Sequence, residues 1–240
     1  MTTTVTDDGA LHIVDHGFMR KVFFVFLGAA ILAAVIKLAG LWLGRDIALG
    51  GHTDSTELHE IVIGNDVVIA PANMIRFAAS RRDGETERLD LYAEWPGMQG
   101  YTEAARDRFN AASSGAILFL SLEPRSMSRD MIGRYAPIYK ALIGPGVPGP
   151  AGLVVHRFTG RSGYLDESLV VAGDGDDKLF VARCLENAEG IVAPCETDIH
   201  VGEGLSLTWR FPRELLADWR DLDAAVRARA TDLVRTRPAR

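Results

Sequence analysis

The stretch VFFVFLGAAILAAVIKLAGLWL occupies residues 22–43, and Lys37 is its only charged residue. As a helix rising about 1.5 Å per residue, it reaches roughly 33 Å, which exceeds a hydrocarbon core of about 30 Å. A core helix of a soluble protein is rarely apolar on every face, whereas a helix surrounded by lipid must be. The stretch therefore predicts a transmembrane helix over residues 21–45.

The flanking charges favour one orientation of this helix. Arg20 and Lys21 precede it, while Arg45 at its end is followed directly by Asp46. An excess of Lys and Arg marks the cytoplasmic side of a span, so residues 1–20 are predicted to be a cytoplasmic tail. The alternative is a cleaved signal peptide, but the apolar region of such a peptide is usually only about 7–15 residues long.

Small residues recur at four-residue spacing along the predicted helix. Ala29 and Ala33 form one such pair, and Gly40 and Gly44 form another. Small-xxx-small pairs let two helices approach closely in a bilayer, which permits a homodimer through the transmembrane helix or packing against a partner helix. Because such pairs also occur in spans that stay monomeric, the segment predicts the lipid bilayer as a partner and leaves the homodimer open.

The residues after the helix divide into a linker and a domain. Residues 46–57 include Gly50, Gly51 and Thr53 and are predicted to be a short linker. Residues 58–240 have the length of one domain with its own hydrophobic core. The net charge of the chain is −6, which argues against nonspecific nucleic-acid binding because that activity requires a dominant basic surface.

Strand patterns dominate the predicted domain. At residues 205–211, apolar residues alternate with Ser206, Thr208 and Arg210, the period-two pattern of a half-buried strand. Other strands are predicted at residues 59–64, 67–71, 89–95, 117–122, 153–158, 168–172 and 179–185, with turns at Asn65-Asp66 and at residues 173–177. The stretch GPGVPGPAG at residues 144–152 is predicted to be a loop.

Helical patterns interrupt and end this series of strands. Helices are predicted at residues 102–112 and 128–143, and Pro137 must kink or break the second one. After Pro212, an apolar stripe at helical spacing predicts a C-terminal amphipathic helix formed by Leu215, Trp219, Leu222, Val226, Ala230 and Leu233. The order of elements predicts an α+β fold, with one N-terminal transmembrane helix followed by a single mixed or antiparallel-sheet domain.

Two cysteines, Cys184 and Cys195, lie in the C-terminal part of the chain. Their ten intervening residues exclude a CxxC redox motif, and the chain has no second pair for a zinc site. We predict a structural disulfide, which an oxidising compartment tolerates. Two unpaired thiols and a redox or metal-binding role are the alternatives.

The familiar catalytic motifs are missing from the sequence. It lacks the paired histidines of a metalloprotease helix, the GxSxG of α/β-hydrolases and the GK[ST] of a phosphate-binding loop. We therefore predict no catalytic residue, no cofactor and no metal site. A hydrolase would have to use an unrecognised site near Arg125, Arg129, His156 or Asp174, and calcium binding by Asp174, Asp176 and Asp177 is less favoured than a hairpin turn.

Two patches suit binding. The stretch WPGMQGY at residues 95–101 places Trp95 and Tyr101 after a predicted strand, although an ordinary surface loop has the same composition. The second patch gathers Arg125, Arg129 and Arg134 where a strand gives way to a helix, which suits an anion or the carboxylates of a partner. The alternative is that these arginines pair internally with Glu123 and Asp130.

A family resemblance rests on five stretches of the sequence: WPGMQGY, EPRSMSRDMIGRYAPIY, SGYLDESL, VARCLENAEGIVAPCETDI and GLSLTWRFPRELLADW. Over about half its length, the chain resembles bacterial single-span transmembrane-anchored proteins of unassigned function. The resemblance implies an anchor in the bacterial inner membrane and a periplasmic domain, and it brings no catalytic residue with it. The expected function is a noncatalytic binding or scaffold component of an envelope complex, with another envelope protein as partner. A membrane-tethered envelope hydrolase and a periplasmic ligand sensor are the alternatives.

Overall fold

The computed structural model describes residues 16–111, 116–160, 162–164, 166–172, 180–187 and 189–236. The chain forms two compact units, residues 1–50 and 51–240. Three predicted features lie outside the described residues: most of the N-terminal tail, the turn at residues 173–177, and Asp174 with its neighbouring aspartates.

In the described residues of the first unit, 16–50, the chain forms one helix, α1 (His16–Leu49). Its segment Gly17–Gly40 is long and apolar enough to cross a membrane, with a mean hydropathy of 2.6, and its large apolar side chains are exposed. The predicted N-terminal apolar helix is thereby confirmed, and it begins and ends a few residues beyond the predicted bounds. A membrane anchor and a signal sequence share this length and composition.

The second unit is an α+β domain. Its first six strands are β1 (Leu58–Ile63), β2 (Asp66–Pro71), β3 (Gly84–Glu85), β4 (Leu89–Glu94), β5 (Ile117–Pro124) and β6 (Ile143–Pro148). The next six are β7 (Leu153–Phe158), β8 (Glu167–Ala172), β9 (Val181–Leu185), β10 (Cys195–Val201), β11 (Leu205–Phe211) and β12 (Val234–Thr236). Its helices are α2 (Arg106–Asn110), α3 (Met131–Tyr135) and α4 (Trp219–Leu233), with 3-10 turns at Glu103–Ala105, Tyr139–Ala141 and Arg213–Asp218 among others.

The strands form two sheets. The large sheet has eight strands in the order β4-β5-β11-β10-β9-β8-β7-β6, and all its neighbours are antiparallel. The small sheet has the order β12-β2-β1-β3, and only its β1–β3 pair is parallel. The predicted α+β class with a C-terminal helix is therefore confirmed.

The main core lies between one face of the large sheet, which we call the inner face, and α4 with the small sheet. All three elements bury large apolar side chains in it: Leu120 and Trp209 of the large sheet, Ile63 of the small sheet, and Leu222 and Val226 of α4. The predicted apolar stripe of the C-terminal helix is the side of α4 that is buried. Burial of such large apolar side chains contributes about 1.5–3 kcal/mol for each of them.

The disulfide between Cys184 and Cys195 joins β9 to β10. The two cysteines lie directly opposite each other in the antiparallel ladder, and both are fully buried in the main core. The predicted bridge is thus present, and it links two central strands of the large sheet.

The predicted helix over residues 128–143 is wrong in length. The structure has only the five-residue helix α3 and a 3-10 turn after it. Asp130 begins α3 as its cap, since its carboxylate accepts a hydrogen bond from the backbone N–H of Gly133 at 2.8 Å. Pro137 accounts for the end, because proline lacks the N–H that would continue the helix.

The predicted loop at residues 144–152 is also wrong, because its first half forms the edge strand β6. An edge strand tolerates Pro145 and Pro148, since only one of its sides needs to bond to a neighbour. Gly146 is required by close packing, because a Cβ atom there would lie 2.3 Å from Val154 Cγ1. The short strands β3 and β12 and the strand β10 were not predicted.

The first hairpin is shifted by one residue from its predicted position. Its turn is Gly64-Asn65, and Asp66 already belongs to β2, where it pairs with Ile63. Asp66 is fully buried, and its carboxylate accepts hydrogen bonds from the backbone N–H groups of Glu203 and Gly204, both at 2.9 Å. This carboxylate ties the small sheet to the turn between β10 and β11.

Candidate binding cleft

The face of the large sheet opposite the main core, its outer face, divides into two halves. We call the part above β8 and β9 the covered half. There Leu169, Val171 and Val181 are buried beneath Met131 of α3 and Tyr139 of the following turn. The covered half is therefore a second, smaller core.

Arg134 belongs to this covered half. Its guanidinium forms a buried ion pair with Asp198 of β10 and donates to Tyr139 Oη at 3.2 Å and to the backbone oxygen of Arg129 at 2.8 Å. Burial alone lowers the pKa of Arg134, but the hydrogen bonds to Tyr139 and Asp198 outweigh that effect and raise the pKa. Arg134, predicted to bind a partner, is thus fully engaged inside the domain.

Arg125 directly follows β5, Arg129 precedes α3, and both lie on the surface. Both side chains are exposed, and within the described part of the chain neither forms a hydrogen bond or ion pair. The predicted alternative, internal pairing with Glu123 and Asp130, does not occur among these residues: Glu123 lies 3.9 Å from Arg88, and Asp130 caps α3. The three predicted arginines therefore do not form one site.

The open half of the outer face lies above β4, β5, β11 and the start of β10. Its side chains are the polar members of alternating strands, and they line a cleft of about 240 Å³. The registers place Asp90 beside Ser121, Ser121 beside Thr208, and Glu196 beside Arg210. The residues that line this cleft are Arg76, Arg88, Asp90, Leu91, Phe119, Leu120, Ser121, Glu123, Glu196, Thr208 and Arg210.

The carboxylates of the cleft share two neighbouring arginines. Arg88 donates to both oxygens of Asp90 at 2.9–3.0 Å and lies 3.9 Å from Glu123. Arg183, at the border with the covered half, pairs with Glu196 and with Glu167 at 3.2 Å. These acids hold the walls of the cleft together.

Two guanidiniums of the cleft, those of Arg76 and Arg210, do not pair with its carboxylates. Arg76 lies over the ring of Phe119, with 5.0 Å between its Cζ and the ring centroid, and Arg210 is the register partner of Phe119 on β11. Among the described residues, neither guanidinium forms a hydrogen bond or an ion pair. The hydroxyl of Ser121, in the same cleft, is buried and also lacks a partner there. Within a lining of mixed charge, the cleft therefore presents two unpaired guanidiniums and a hydroxyl to whatever enters it.

An apolar hollow of about 210 Å³ adjoins the cleft, and both are lined by Arg76 and Phe119. We call it the aromatic hollow, because His52, Tyr92 and Phe109 form much of its wall. The imidazole of His52 has its Nδ1 atom 2.9 Å from Tyr92 Oη, and the rings of Tyr92 and Phe109 meet edge to face at 4.9 Å. Cleft and hollow together offer a charged site beside an apolar one.

Burial in the wall of the hollow shifts the pKa values of His52 and Tyr92. Burial lowers the pKa of His52 below its ordinary value of 6.5, and the charges of Arg81 and Arg76 lower it further, against a hydrogen bond to Asn110. Burial likewise raises the pKa of Tyr92. Both groups are therefore held neutral near pH 7, which suits a wall of packed rings.

The segment from Gly51 to residue 57, predicted to belong to a linker, is fastened to the domain. Arg81 donates to the backbone oxygen of Gly51 at 2.8 Å. The backbone N–H of Asn73 donates to the backbone oxygen of Ser55, also at 2.8 Å. His52 stacks on Tyr101, with 4.7 Å between the ring centroids. The end of the linker thus forms part of the aromatic hollow.

The loop at residues 95–101 is less exposed than predicted. Trp95 is half-buried against the main core, and Tyr101 is fully buried under His52. The backbone at Gly100 runs so close to Asn73 that a Cβ atom would lie 2.4 Å from its carbonyl oxygen. Tyr101 therefore supports the aromatic hollow from below, and its ring does not face solvent.

The residues suggested for a hydrolase are not brought together in the described part of the chain. His156 has its Nδ1 atom 2.9 Å from the backbone oxygen of Gly144, and no hydrogen bond or ion pair joins it to Arg125 or Arg129. Asp174 lies outside the described residues. In the ranges that are described, no three His, Cys, Asp or Glu side chains are placed to hold a metal ion.

Comparisons with known proteins add two distant structural likenesses. No protein-family model matches the chain, and no curated protein sequence matches it. One similar solved structure is Smlt3025, an immunity protein of the Stenotrophomonas maltophilia type IV secretion system, with 14% identity and a TM-score of 0.48 over 77% of this chain and 95% of that one. Another is the Neisseria meningitidis iron-regulated outer membrane lipoprotein FrpD, with 8% identity and a TM-score of 0.40 over 74% of this chain and 94% of that one.

Proposed function

We propose that this protein is a noncatalytic binding component of the bacterial envelope. Helix α1 anchors it in the inner membrane with the N-terminus in the cytoplasm, and the domain binds another envelope protein in the periplasm. The observation that supports the binding role is the open half of the outer face. There the guanidiniums of Arg76 and Arg210 form no hydrogen bond or ion pair among the described residues, next to the aromatic hollow.

Three features support the proposed location. Helix α1 carries a segment long enough to cross a bilayer, and Arg20 and Lys21 favour the cytoplasm for its beginning. The disulfide between Cys184 and Cys195 is typical of an oxidising compartment such as the periplasm.

The shape and chemistry of the open half favour binding over catalysis. The titratable groups of the hollow, His52 and Tyr92, contact each other and their neighbouring rings. The carboxylates of the cleft are paired with Arg88 and Arg183. A surface of paired acids, unpaired guanidiniums and half-buried rings resembles the mixture that protein interfaces favour, in which arginine and aromatic residues are enriched.

The proposed anchor is tested by fractionation and by reporter fusions. Washing membranes with alkaline carbonate should leave the full-length protein in the pellet, and a reporter at the C-terminus should be active in the periplasm only. Release of the intact chain by carbonate, or a C-terminus in the cytosol, contradicts the proposed anchor.

The binding role is tested by blocking the cleft in the full-length protein. Thr208 faces the cleft from β11, and Ala217 is exposed outside it. After chemical crosslinking in cells at native expression, affinity purification should recover a reproducible partner from the wild type and from the Ala217→Trp variant. The Thr208→Trp variant should recover several-fold less of it. Equal recovery from both variants, or no reproducible partner from the wild type, contradicts the proposal.

A further inference from the structure

We infer that the cleft and the aromatic hollow recognise a polypeptide segment in which an acidic residue lies close to a large apolar residue. The acidic side chain is held between Arg76 and Arg210, and the apolar side chain enters the hollow. This inference rests on the proposed binding function and specifies the chemistry of the partner at that site.

The placement of the two guanidiniums supports the proposed contact with an acidic side chain. Both flank Phe119, Arg76 above its ring and Arg210 beside it in the ladder. A guanidinium offers several N–H donors in a planar fork that matches a carboxylate, and such charge-assisted hydrogen bonds are about twice as strong as neutral ones. The free hydroxyl of Ser121 adds a further donor in the same cleft.

The other charges in the cleft select among anions. Asp90 and Glu123 share Arg88, and Glu196 shares Arg183 with Glu167, so the wall keeps negative charge that opposes a second negative charge on the ligand. A side-chain carboxylate brings one negative charge and a phosphate group brings up to two, so the mixed wall favours the carboxylate. A bare phosphate would also leave the adjoining aromatic hollow empty.

The aromatic hollow supports the proposed contact with a large apolar side chain. Its volume of about 210 Å³ is bounded by the rings of Tyr92, Phe109 and Phe119, and Ile117 adds an aliphatic wall. Arg76 and Phe119 line both cavities, so the two groups of the partner must lie within one or two residues of each other along an extended chain. An acidic residue next to an aromatic or branched aliphatic residue meets this requirement.

The test is a selection from a library of random nine-residue peptides displayed on phage. The bait is the full-length protein in micelles of an uncharged detergent. Selection on the wild type should enrich peptides that carry Asp or Glu next to a large apolar residue. A synthetic peptide from that selection should bind about tenfold more weakly to Arg76→Ala or to Arg210→Ala, because each variant removes a charge-assisted hydrogen bond.

The chain supplies a matched control for these variants. Arg125→Ala removes an arginine that is also exposed and unpaired among the described residues but lies outside the cleft. It should bind the selected peptide as the wild type does. In the charge-reversed variant Arg210→Glu, the peptide with Lys in place of the acid should bind more tightly than the acidic one.

The outcomes separate this inference from the proposed function. Selected peptides that bind at the cleft but lack acids, or that bind Arg210→Ala and wild type equally, overturn the inference and leave the binding role intact. Binding of inorganic phosphate or of phosphatidylglycerol vesicles that depends on Arg76 and Arg210, with no acidic peptide enriched, also overturns it. An unchanged yield from Thr208→Trp in the cellular capture experiment counts against the binding role itself.

Discussion

The covered half and the open half of the outer face belong to neighbouring strands of one sheet, yet they use arginine in opposite ways. In the covered half, Arg134 is buried, paired with Asp198 and bonded to Tyr139. In the open half, Arg210 reaches the cleft and makes no polar contact among the described residues. Arg134 thus stabilises the fold beneath a helix, whereas Arg210, on a part of the sheet that no helix covers, is available to a partner.

The largest expected effect is on stability in the covered half. Arg134→Ala leaves the carboxylate of Asp198 buried without its partner, which should lower the free energy of unfolding by about 3–5 kcal/mol. Arg210→Ala should change it by less than about 0.5 kcal/mol, as expected for an exposed side chain. Denaturant titration of the full-length protein in detergent measures both values. Similar losses in the two variants would contradict the comparison.

A double variant sharpens this result. Replacing both partners, as in Arg134→Met with Asp198→Leu, removes the ion pair without stranding a charge. Most of the stability lost in Arg134→Ala should then return, because well-packed apolar residues often substitute for a buried pair at little cost. A double variant as unstable as the single one would show that the ion pair itself stabilises the covered half.

The disulfide has the next largest expected effect. It joins β9, under the covered half, to β10, which borders the open half. Replacing Cys184 and Cys195 together by Ala should lower the free energy of unfolding by about 2–3 kcal/mol, because the short loop is then free in the unfolded chain. The control is the same measurement with reductant, which should leave the variant unchanged. No loss of stability in the variant would contradict a structural role for the bridge.

The smallest expected effect concerns pH and the open half. The pKa of His52 is lowered by burial, so the folded domain favours the neutral imidazole, while the unfolded chain takes up a proton below about pH 6.5. This contribution to stability is present above pH 6.5 and is lost as the pH falls below it. His52→Gln should therefore lose less stability than the wild type between pH 7.5 and pH 5.5, measured by denaturant titration. An equal loss in both proteins would contradict the buried position of His52.

Much of the fold follows from local sequence patterns. The apolar run around Lys37 predicts α1, and the stripe that includes Leu222 and Val226 predicts α4, because both depend only on helical spacing. Alternation likewise predicts β4 and β11. The edge strand β6 escaped prediction because its glycines and prolines are typical of loops, and an edge position removes the usual objection to proline.

The candidate site was much harder to predict. Arg76, Ser121 and Arg210 are far apart in the sequence. The pairing of β5 with β11 brings Ser121 and Arg210 together, and the backbone N–H of Arg76 donates to the backbone oxygen of Asp90 on β4 at 3.0 Å. The sequence did contain a signal, since the polar positions of β4 and β11 alternate and Ser121 interrupts an apolar strand. Arg125, Arg129 and Arg134 lie close in sequence, but α3 directs the guanidinium of Arg134 towards the buried Asp198, whereas the side chains of the other two are exposed.

The most direct test of the account is site-specific photo-crosslinking in living cells. A photoreactive phenylalanine analogue replaces either Thr208 in the open half or Met127, which is exposed beside the covered half. We expect a discrete crosslinked product from position 208 and little or none from position 127. A product from position 127 alone, or equal products from both positions, would contradict the claim that the open half is the binding surface.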